Sequence, residues 1–134
     1  MSNLHHKWEQ GIIKILNLDG WDLQWTGAEY EHFDARGKTP KGFDCVIEFK
    51  LRHTYYPTKI LEKFKYAKLM QMHCLKFYYV FDLKGNYLYY LDTLELPDAS
   101  VLNCKATTDF DNNELINKNV YFLSETQASI INKY

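Results

Sequence analysis

Glu48 and Lys50, in the segment FDCVIEFKLR, place a carboxylate and an ammonium two residues apart. Apolar residues such as Ile47 and Phe49 alternate with polar ones here, which predicts a strand over residues 42–52 with one apolar face. On that strand Glu48 and Lys50 project to the same side of the sheet, about 6.6 Å apart. A carboxylate and an ammonium at this separation can hold a divalent cation and stabilise charge on a phosphoryl group.

A hard cation such as Mg²⁺ needs a second carboxylate, and two aspartates compete for that role. Asp44 shares the predicted face of Glu48 but lies about 13 Å away along the strand, too far for both to bind one ion. Asp34 lies across the segment RGKTPKG, whose Gly and Pro content predicts a hairpin turn. That turn can bring Asp34 opposite or diagonal to Glu48, so Asp34 is the preferred candidate.

The first helix is predicted over residues 3–17, and it places a carboxylate within its apolar stripe. Helical spacing puts Glu9 between Trp8 and the buried isoleucines. A buried carboxylate requires a partner, so we expect Glu9 to meet a cation or an arginine; the alternative is a stripe-edge residue that reaches solvent. His5 shares this face, and a hydrogen-bonded core or rim histidine is its preferred interpretation.

Further elements follow the strand that carries Glu48. A second helix is predicted over residues 59–72, with Ile60, Leu61, Phe64 and Ala67 buried. The segment KFYYVFDLKGNYLYYLDT predicts a β-hairpin whose aromatic residues form core and sheet surface, with a base-stacking platform as the alternative.

The C-terminal part is less regular. Residues 93–119 include the acidic DFDNNE, which lacks the EF-hand spacing and is interpreted as a solvated loop. A short strand VYFL and a terminal helix, opened by Ser124 with Gln127 in a capping box, are predicted next. The predicted order is therefore α-β-β-β-α-β-β with a small C-terminal β/α addition, an α/β fold in which helices flank a mixed sheet.

Length and composition limit the classes of protein to which the chain can belong. At 134 residues with 46% hydrophobic side chains, the chain is predicted to form one domain, residues 1–134, and a disordered chain is disfavoured. No apolar run approaches the roughly 20 residues that span a membrane, and no signal peptide is visible. Three widely spaced cysteines without a CxxC pair indicate reduced thiols in the cytoplasm rather than a zinc site.

The net charge of −1 conceals a basic centre, because residues 36–76 contain ten basic and three acidic side chains. Such a centre can bind phosphates, although a solvated lysine-rich helix face is the simpler interpretation of charge alone. The basic residues next to the predicted strand are Arg36, Lys38, Lys41, Arg52 and Lys59.

Taken together, a helix with an acid, then Asp34, then Glu48-x-Lys50 on the next strand and then a basic helix resembles the PD-(D/E)xK nuclease superfamily. Phage-type nucleases and Holliday-junction resolvases belong to that superfamily. The resemblance covers roughly residues 3–92 and implies a restriction-endonuclease-like αβββαβ core. Phe33 stands where the superfamily's name expects proline.

The resemblance implies a Mg²⁺-dependent endodeoxyribonuclease, with Mn²⁺ able to substitute, in a bacterial or phage-infected cell. Asp34, Glu48 and Glu9 would be metal ligands and Lys50 the catalytic lysine. The glutamine or lysine that the second helix often adds stays open among Lys59, Lys63, Lys68 and Gln71.

The partner implied is DNA, whose phosphates the basic residues named above would contact, and a homodimer would suit a junction or duplex substrate. A nuclease-like fold that only binds nucleic acid or a protein is the alternative function. An unrelated α/β protein with a chance Glu–Lys pair is the third interpretation.

Overall fold

The central layer of the protein is a mixed six-stranded sheet. The computed structural model describes residues 2–27, 32–105 and 114–134. The sheet has the order β1-β2-β3-β5-β6-β9, in which β3 and β5 are parallel and every other neighbouring pair is antiparallel. Its strands are β1 Asp22–Trp25, β2 Ala35–Lys38, β3 Asp44–Leu51, β5 Leu75–Phe81, β6 Gly85–Tyr90 and β9 Ile130–Lys133.

The two faces of this sheet are covered differently. The helix α1, Ser2–Leu18, packs on one face. The other face carries the short helix α2, Lys63–Leu69, and a three-stranded antiparallel sheet of order β4-β8-β7. The strands of that second sheet are β4 Thr58–Glu62, β7 Ser100–Lys105 and β8 Leu115–Ser124.

Alternation along β3 divides the hydrophobic core into two parts. Ile47 and Phe49 pack with Ile13 of α1 in the first part. Val46 points to the opposite face, where the second part lies, together with Leu69 at the end of α2. Glu48 and Lys50 share the direction of Val46, since side chains two residues apart in a strand lie on the same face. The polar face of β3 is therefore turned toward α2.

The predicted α/β fold with a mixed sheet and flanking helices is confirmed, as are the first helix and both hairpins. In the first hairpin, the N–H of Gly42 donates to the carbonyl of Thr39, and Gly42 adopts a φ of 88°. Left-handed backbone of this kind favours glycine, which explains the PKG sequence at the turn. The aromatic strands of the second hairpin form core, as preferred, with Tyr78 and Tyr89 buried.

The second predicted helix begins too early and is too long, and the predicted terminal helix is wrong. Residues 58–62 form the strand β4 rather than the start of a helix, because they pair with β8. The helix that follows is consequently shorter, and Phe64, predicted to be buried, is 68% exposed. The capping box at Ser124 is present, but it opens a single 3-10 turn, Glu125–Gln127, and the chain then enters β9.

The irregular segment predicted over residues 93–119 contains β7 and the start of β8. The acidic run DFDNNE falls mainly outside the described residues. Within the described part of the chain, neither helix is long and apolar enough to cross a membrane.

Candidate active site

Asp34 and Glu48 lie opposite each other at the end of the β2–β3 pair. The register pairs Ala35 with Ile47, so the preceding residue, Asp34, faces Glu48. Asp34 Oδ2 accepts a hydrogen bond of 2.8 Å from the Phe49 N–H, which holds the carboxylate against β3. The two side chains come within hydrogen-bonding range of one another, and both are almost fully buried. The hairpin thus creates a buried pair of acids.

The same hairpin separates Asp44 from this pair. Asp44 is exposed at the start of β3, and its Oδ1 lies 2.8 Å from Lys38 Nζ. Of the two aspartates considered from the sequence, the structure therefore places Asp34 beside Glu48 and directs Asp44 to a surface ion pair.

Burial and mutual repulsion weaken the acidity of the pair. Burial and then the nearby Glu9 raise the pKa of Asp34, and burial and then the Asp34 charge raise the pKa of Glu48 well above its ordinary value. Each effect disfavours the charged form, because burial and like charge outweigh the attraction of the nearby lysines. A cation between them would reverse this preference.

Lys50 lies one pleat beyond Glu48 on the same face of β3, in a mostly buried position. Burial lowers the pKa of the Lys50 ammonium to about 8, and the positive charges of Arg52 and Lys65 add to that effect. A lysine whose pKa is this close to neutrality can exist in either protonation state at working pH.

Lys65 of α2 is the second-helix lysine that reaches the pair, with its Nζ 3.5 Å from Glu48 Oε1. It is none of the four candidates considered from the sequence. Lys65 and the buried Leu69 are one helical turn apart, so both lie on the inner face of α2. A helix beginning at Lys63 would have indicated this residue, whereas the predicted start at residue 59 obscured it.

Glu9 approaches the pair from α1, and its carboxylate is 3% exposed. Glu9 Oε1 accepts a 2.9 Å hydrogen bond from the indole N–H of Trp25, and Oε2 lies 3.2 Å from His5 Nε2. The alternative interpretation, in which Glu9 reaches solvent, is wrong. His5 is a hydrogen-bonded rim histidine, as predicted. Both Glu9 oxygens have protein partners, and the Glu9 charge is close enough to raise the pKa of Asp34.

The donor set suits Mg²⁺ in the form in which proteins usually bind it. Within residues 2–27, 32–105 and 114–134, no three histidine, cysteine, aspartate or glutamate side chains are arranged as a metal cage. Mg²⁺ rarely uses such a cage, since it keeps several waters and takes one or two carboxylates plus substrate phosphate. Asp34 and Glu48 provide such a pair. The Phe49 carbonyl leaves β3 on the same edge as the N–H that binds Asp34, as strand geometry requires.

Four of the five predicted phosphate contacts are at least partly exposed to solvent. Arg36 and Lys38 on β2 and Lys41 in the turn are exposed, and Arg52 is half-buried immediately after β3. Lys38 forms the surface ion pair with Asp44 that is described above.

The predicted phosphate contact of Lys59 is wrong, because its ammonium is buried and cannot reach a nucleic acid. Lys59 Nζ lies 2.7 Å from Asp82 Oδ2 and 3.3 Å from Glu125 Oε1, and it donates to the Tyr56 carbonyl. The residue points inward because β4 is a strand in which Lys59 and Leu61 face the core. Its role is to join β4, the β5–β6 turn and the C-terminal 3-10 turn.

Comparison with known proteins supports the fold. No protein-family profile matches the chain, and no curated protein matches its sequence. The structure is similar to that of Hjc, a Holliday junction resolvase from the archaeal hyperthermophile Archaeoglobus fulgidus, with a TM-score of 0.61 and 11% identity. The similarity covers 95% of this chain and 88% of the resolvase. The chain therefore has a restriction-endonuclease-like fold of the resolvase type.

Proposed function

We propose that this protein is a metal-dependent nuclease that hydrolyses phosphodiester bonds in DNA. The observation that carries the proposal is the buried pair of Asp34 and Glu48, with Lys50 on the same face of β3. Burying two acids against each other is unfavourable unless a cation joins them. An arrangement that costs stability in this way is typical of a functional site.

Asp34 and Glu48 would hold Mg²⁺, or Mn²⁺ in its place, with the Phe49 carbonyl at the same edge of β3. A bound Mg²⁺ would supply a Lewis acid for the phosphate and lower the pKa of an attacking water. The Phe49 N–H keeps the Asp34 carboxylate oriented. Glu9, held by His5 and Trp25, adds negative charge behind the pair.

Lys50 would stabilise charge on the phosphate or on the attacking oxygen. Its low pKa of about 8 follows from burial, and a phosphate placed beside it would raise that pKa and so favour the charged ammonium. Lys65, 3.5 Å from Glu48, would limit repulsion within the pair before the cation arrives.

Arg36, Lys41 and Arg52 would bind backbone phosphates around the scissile bond. Such contacts do not depend on sequence, which suits an enzyme that recognises the shape of DNA. The likeness to a Holliday junction resolvase supports branched DNA as the substrate, and a two-fold dimer would place two sites for cutting two strands.

Cleavage of labelled linear, flapped and four-way DNA tests the proposal, with Mg²⁺, Mn²⁺ or EDTA added in parallel. Wild type would be compared with Glu48→Ala and with Glu95→Ala, an exposed glutamate distant from the pair. We expect metal-dependent cutting that Glu48→Ala abolishes and Glu95→Ala preserves. Binding of every substrate without cutting, unaffected by metal, would instead indicate a nuclease-like binding module.

A further inference from the structure

An open cleft of about 530 Å³ has Arg36 and Val46 in its lining, each two residues along the chain from Asp34 or Glu48. One wall is formed by β1, β2 and β3, and the other by residues 72–74, which follow α2. Of the residues that line this cleft, the proposed nuclease function uses only Arg36. The position of the cleft and the residues that line it nevertheless indicate which part of a DNA substrate would bind there.

The strand register arranges the cleft and the pair in successive rows across three strands. Gln24, Arg36 and Val46 form one row, since Gln24 pairs with Arg36 and Arg36 with Val46. Two residues farther along each chain segment, Asp34, just before β2, lies beside Glu48 of β3. Rows two residues apart are separated by about 6.6 Å, a distance that one nucleotide of an extended strand can span. A nucleotide in the cleft would therefore leave its adjoining phosphate at the carboxylate pair.

The charges of the cleft suit a base better than a series of phosphates. Two basic residues, Arg36 and Lys38, are matched by two acidic ones, Asp22 and Asp44. Lys38 and Asp44 are paired at 2.8 Å, which leaves Arg36 as the arginine that can meet one phosphate. A phosphate-binding groove would instead carry an excess of positive charge.

The remaining lining offers what a heterocyclic base needs. The Gln24 amide and the Asp22 carboxylate can pair with base edges, which carry both donors and acceptors. Met72 and His73 form the opposite wall, and a thioether and an imidazole both pack well against an aromatic ring. The size also agrees, because clefts of roughly 300–1,000 Å³ hold drug-sized molecules, whereas a base pair within a duplex is wider.

We propose that this cleft binds one unpaired nucleotide next to the scissile phosphate. The inference rests on the proposed nuclease function and narrows its substrate class. It favours DNA with an unpaired strand at the cut, such as a flap or an open branch, over a fully paired duplex. Unpaired bases are available for stacking and edge recognition, whereas stacked bases in a duplex must first be flipped out at a cost.

The test uses Gln24→Trp, which fills the cleft from an exposed position on β1, a strand that tolerates an aromatic residue. The control is Gln10→Trp, at an exposed position on α1. Fluorescence anisotropy in EDTA would measure binding of a labelled single-stranded 12-mer and of a blunt 12-bp duplex. We expect Gln24→Trp to weaken single-strand binding by roughly tenfold, the effect of losing one stacked base, and to leave duplex binding unchanged. Gln10→Trp should change neither.

Cleavage assays separate this inference from the proposed function. If flapped DNA is cut faster than blunt duplex, and Gln24→Trp removes only that preference, both the nuclease function and the nucleotide cleft are supported. If metal-dependent cutting occurs without any effect of Gln24→Trp on single-strand binding or flap preference, the nucleotide cleft is refuted while the nuclease remains. If no substrate is cut but Gln24→Trp still weakens single-strand binding, the cleft stands and the nuclease function fails. His73→Ala, which removes the opposite wall, should reproduce the binding loss without filling the cleft.

Discussion

The backbone N–H of Phe49 donates a 2.8 Å hydrogen bond to Asp34 Oδ2 and so ties the Asp34 carboxylate to the strand that carries Glu48. The backbone of the hairpin thus positions one acid of the pair, and Lys65 supplies a positive charge 3.5 Å from the other. Rigid backbone support of this kind lets the protein maintain two buried acids at close range, which flexible side chains would otherwise separate.

Removing the Glu48 charge should stabilise the metal-free protein. We expect Glu48→Gln to raise the free energy of unfolding by about 1–2 kcal/mol at pH 7.5, because the amide has no charge to desolvate. The raised pKa of Glu48 sets the sign: wild type loses stability as pH rises above the ordinary carboxyl range. The difference in the free energy of unfolding between variant and wild type should therefore be small near pH 4 and increase toward neutrality. Urea denaturation at several pH values would measure it, with Glu95→Gln as a control that shows no such difference.

Mg²⁺ should reverse this order of stability. Wild type should gain stability with increasing Mg²⁺ by mass action, whereas Glu48→Gln should gain little. Thermal melts over a Mg²⁺ titration would compare the two. Equal gains in both proteins would contradict a site at this pair.

Lys50 should impose a pH dependence of its own at alkaline pH. Its pKa is about 8 in the folded protein, below that of the unfolded chain, so the folded state releases its proton first. Wild-type stability should thus rise by about 1–3 kcal/mol between pH 8 and 10.5 relative to Lys50→Met. Lys14→Met, at an exposed position on α1, is the matched control. Parallel pH profiles for the Lys50 variant and wild type would disprove the low pKa.

Catalysis and binding should separate at Lys50. We expect Lys50→Ala to reduce DNA cleavage by at least a hundredfold, because an ammonium at the reacting phosphate is lost. DNA affinity should change less than threefold, since the exposed basic residues remain. Single-turnover cleavage and anisotropy would be measured on the same preparations, with Lys14→Ala alongside. Cleavage that survives in Lys50→Ala would exclude the proposed role.

Lys59 and Lys41 should have opposite effects, although both were predicted to bind DNA. Lys59→Met leaves Asp82 buried without its cation and should cost about 3–5 kcal/mol of stability. Chemical denaturation would show this loss, and Lys63→Met, at an exposed position at the start of α2, should show none. A stable Lys59→Met protein would mean that the ion pair does not hold the turn in place.

Lys41→Ala should leave stability intact and weaken DNA binding uniformly across sequences. The slope of log K against log salt should fall by about one, as expected when one phosphate contact is lost. Anisotropy at four salt concentrations would measure the slope. An unchanged slope would place Lys41 outside the interface.

Local patterns were sufficient to predict the parts of the site that lie close together in sequence. The alternation along β3 and the glycine at the turn predicted that Asp34 would meet Glu48, and helical spacing predicted a buried Glu9. These signals are local, because each one lies within a single helix or a single hairpin. The first helix was predicted within one residue of each end.

The contribution of α2 could not be predicted in this way. β4 forms because Thr58–Glu62 pair with Val120–Ser124, some sixty residues later, and this partner is not apparent from the local sequence. The predicted helix therefore began too early, Lys65 was missed, and Lys59 was assigned to the surface. Tertiary pairing overrides local preference in such segments.

The same long-range pairing bears on when the site appears during synthesis. Lys65 rests on a helix supported by β4, and β4 depends on β8 and on the Lys59–Glu125 contact. Contacts between distant parts of a chain form late, and a ribosome delivers residues in order. A nascent chain should consequently contain Asp34, Glu48 and Lys50 long before their site is assembled. The complete site would form only after β8 has been synthesised.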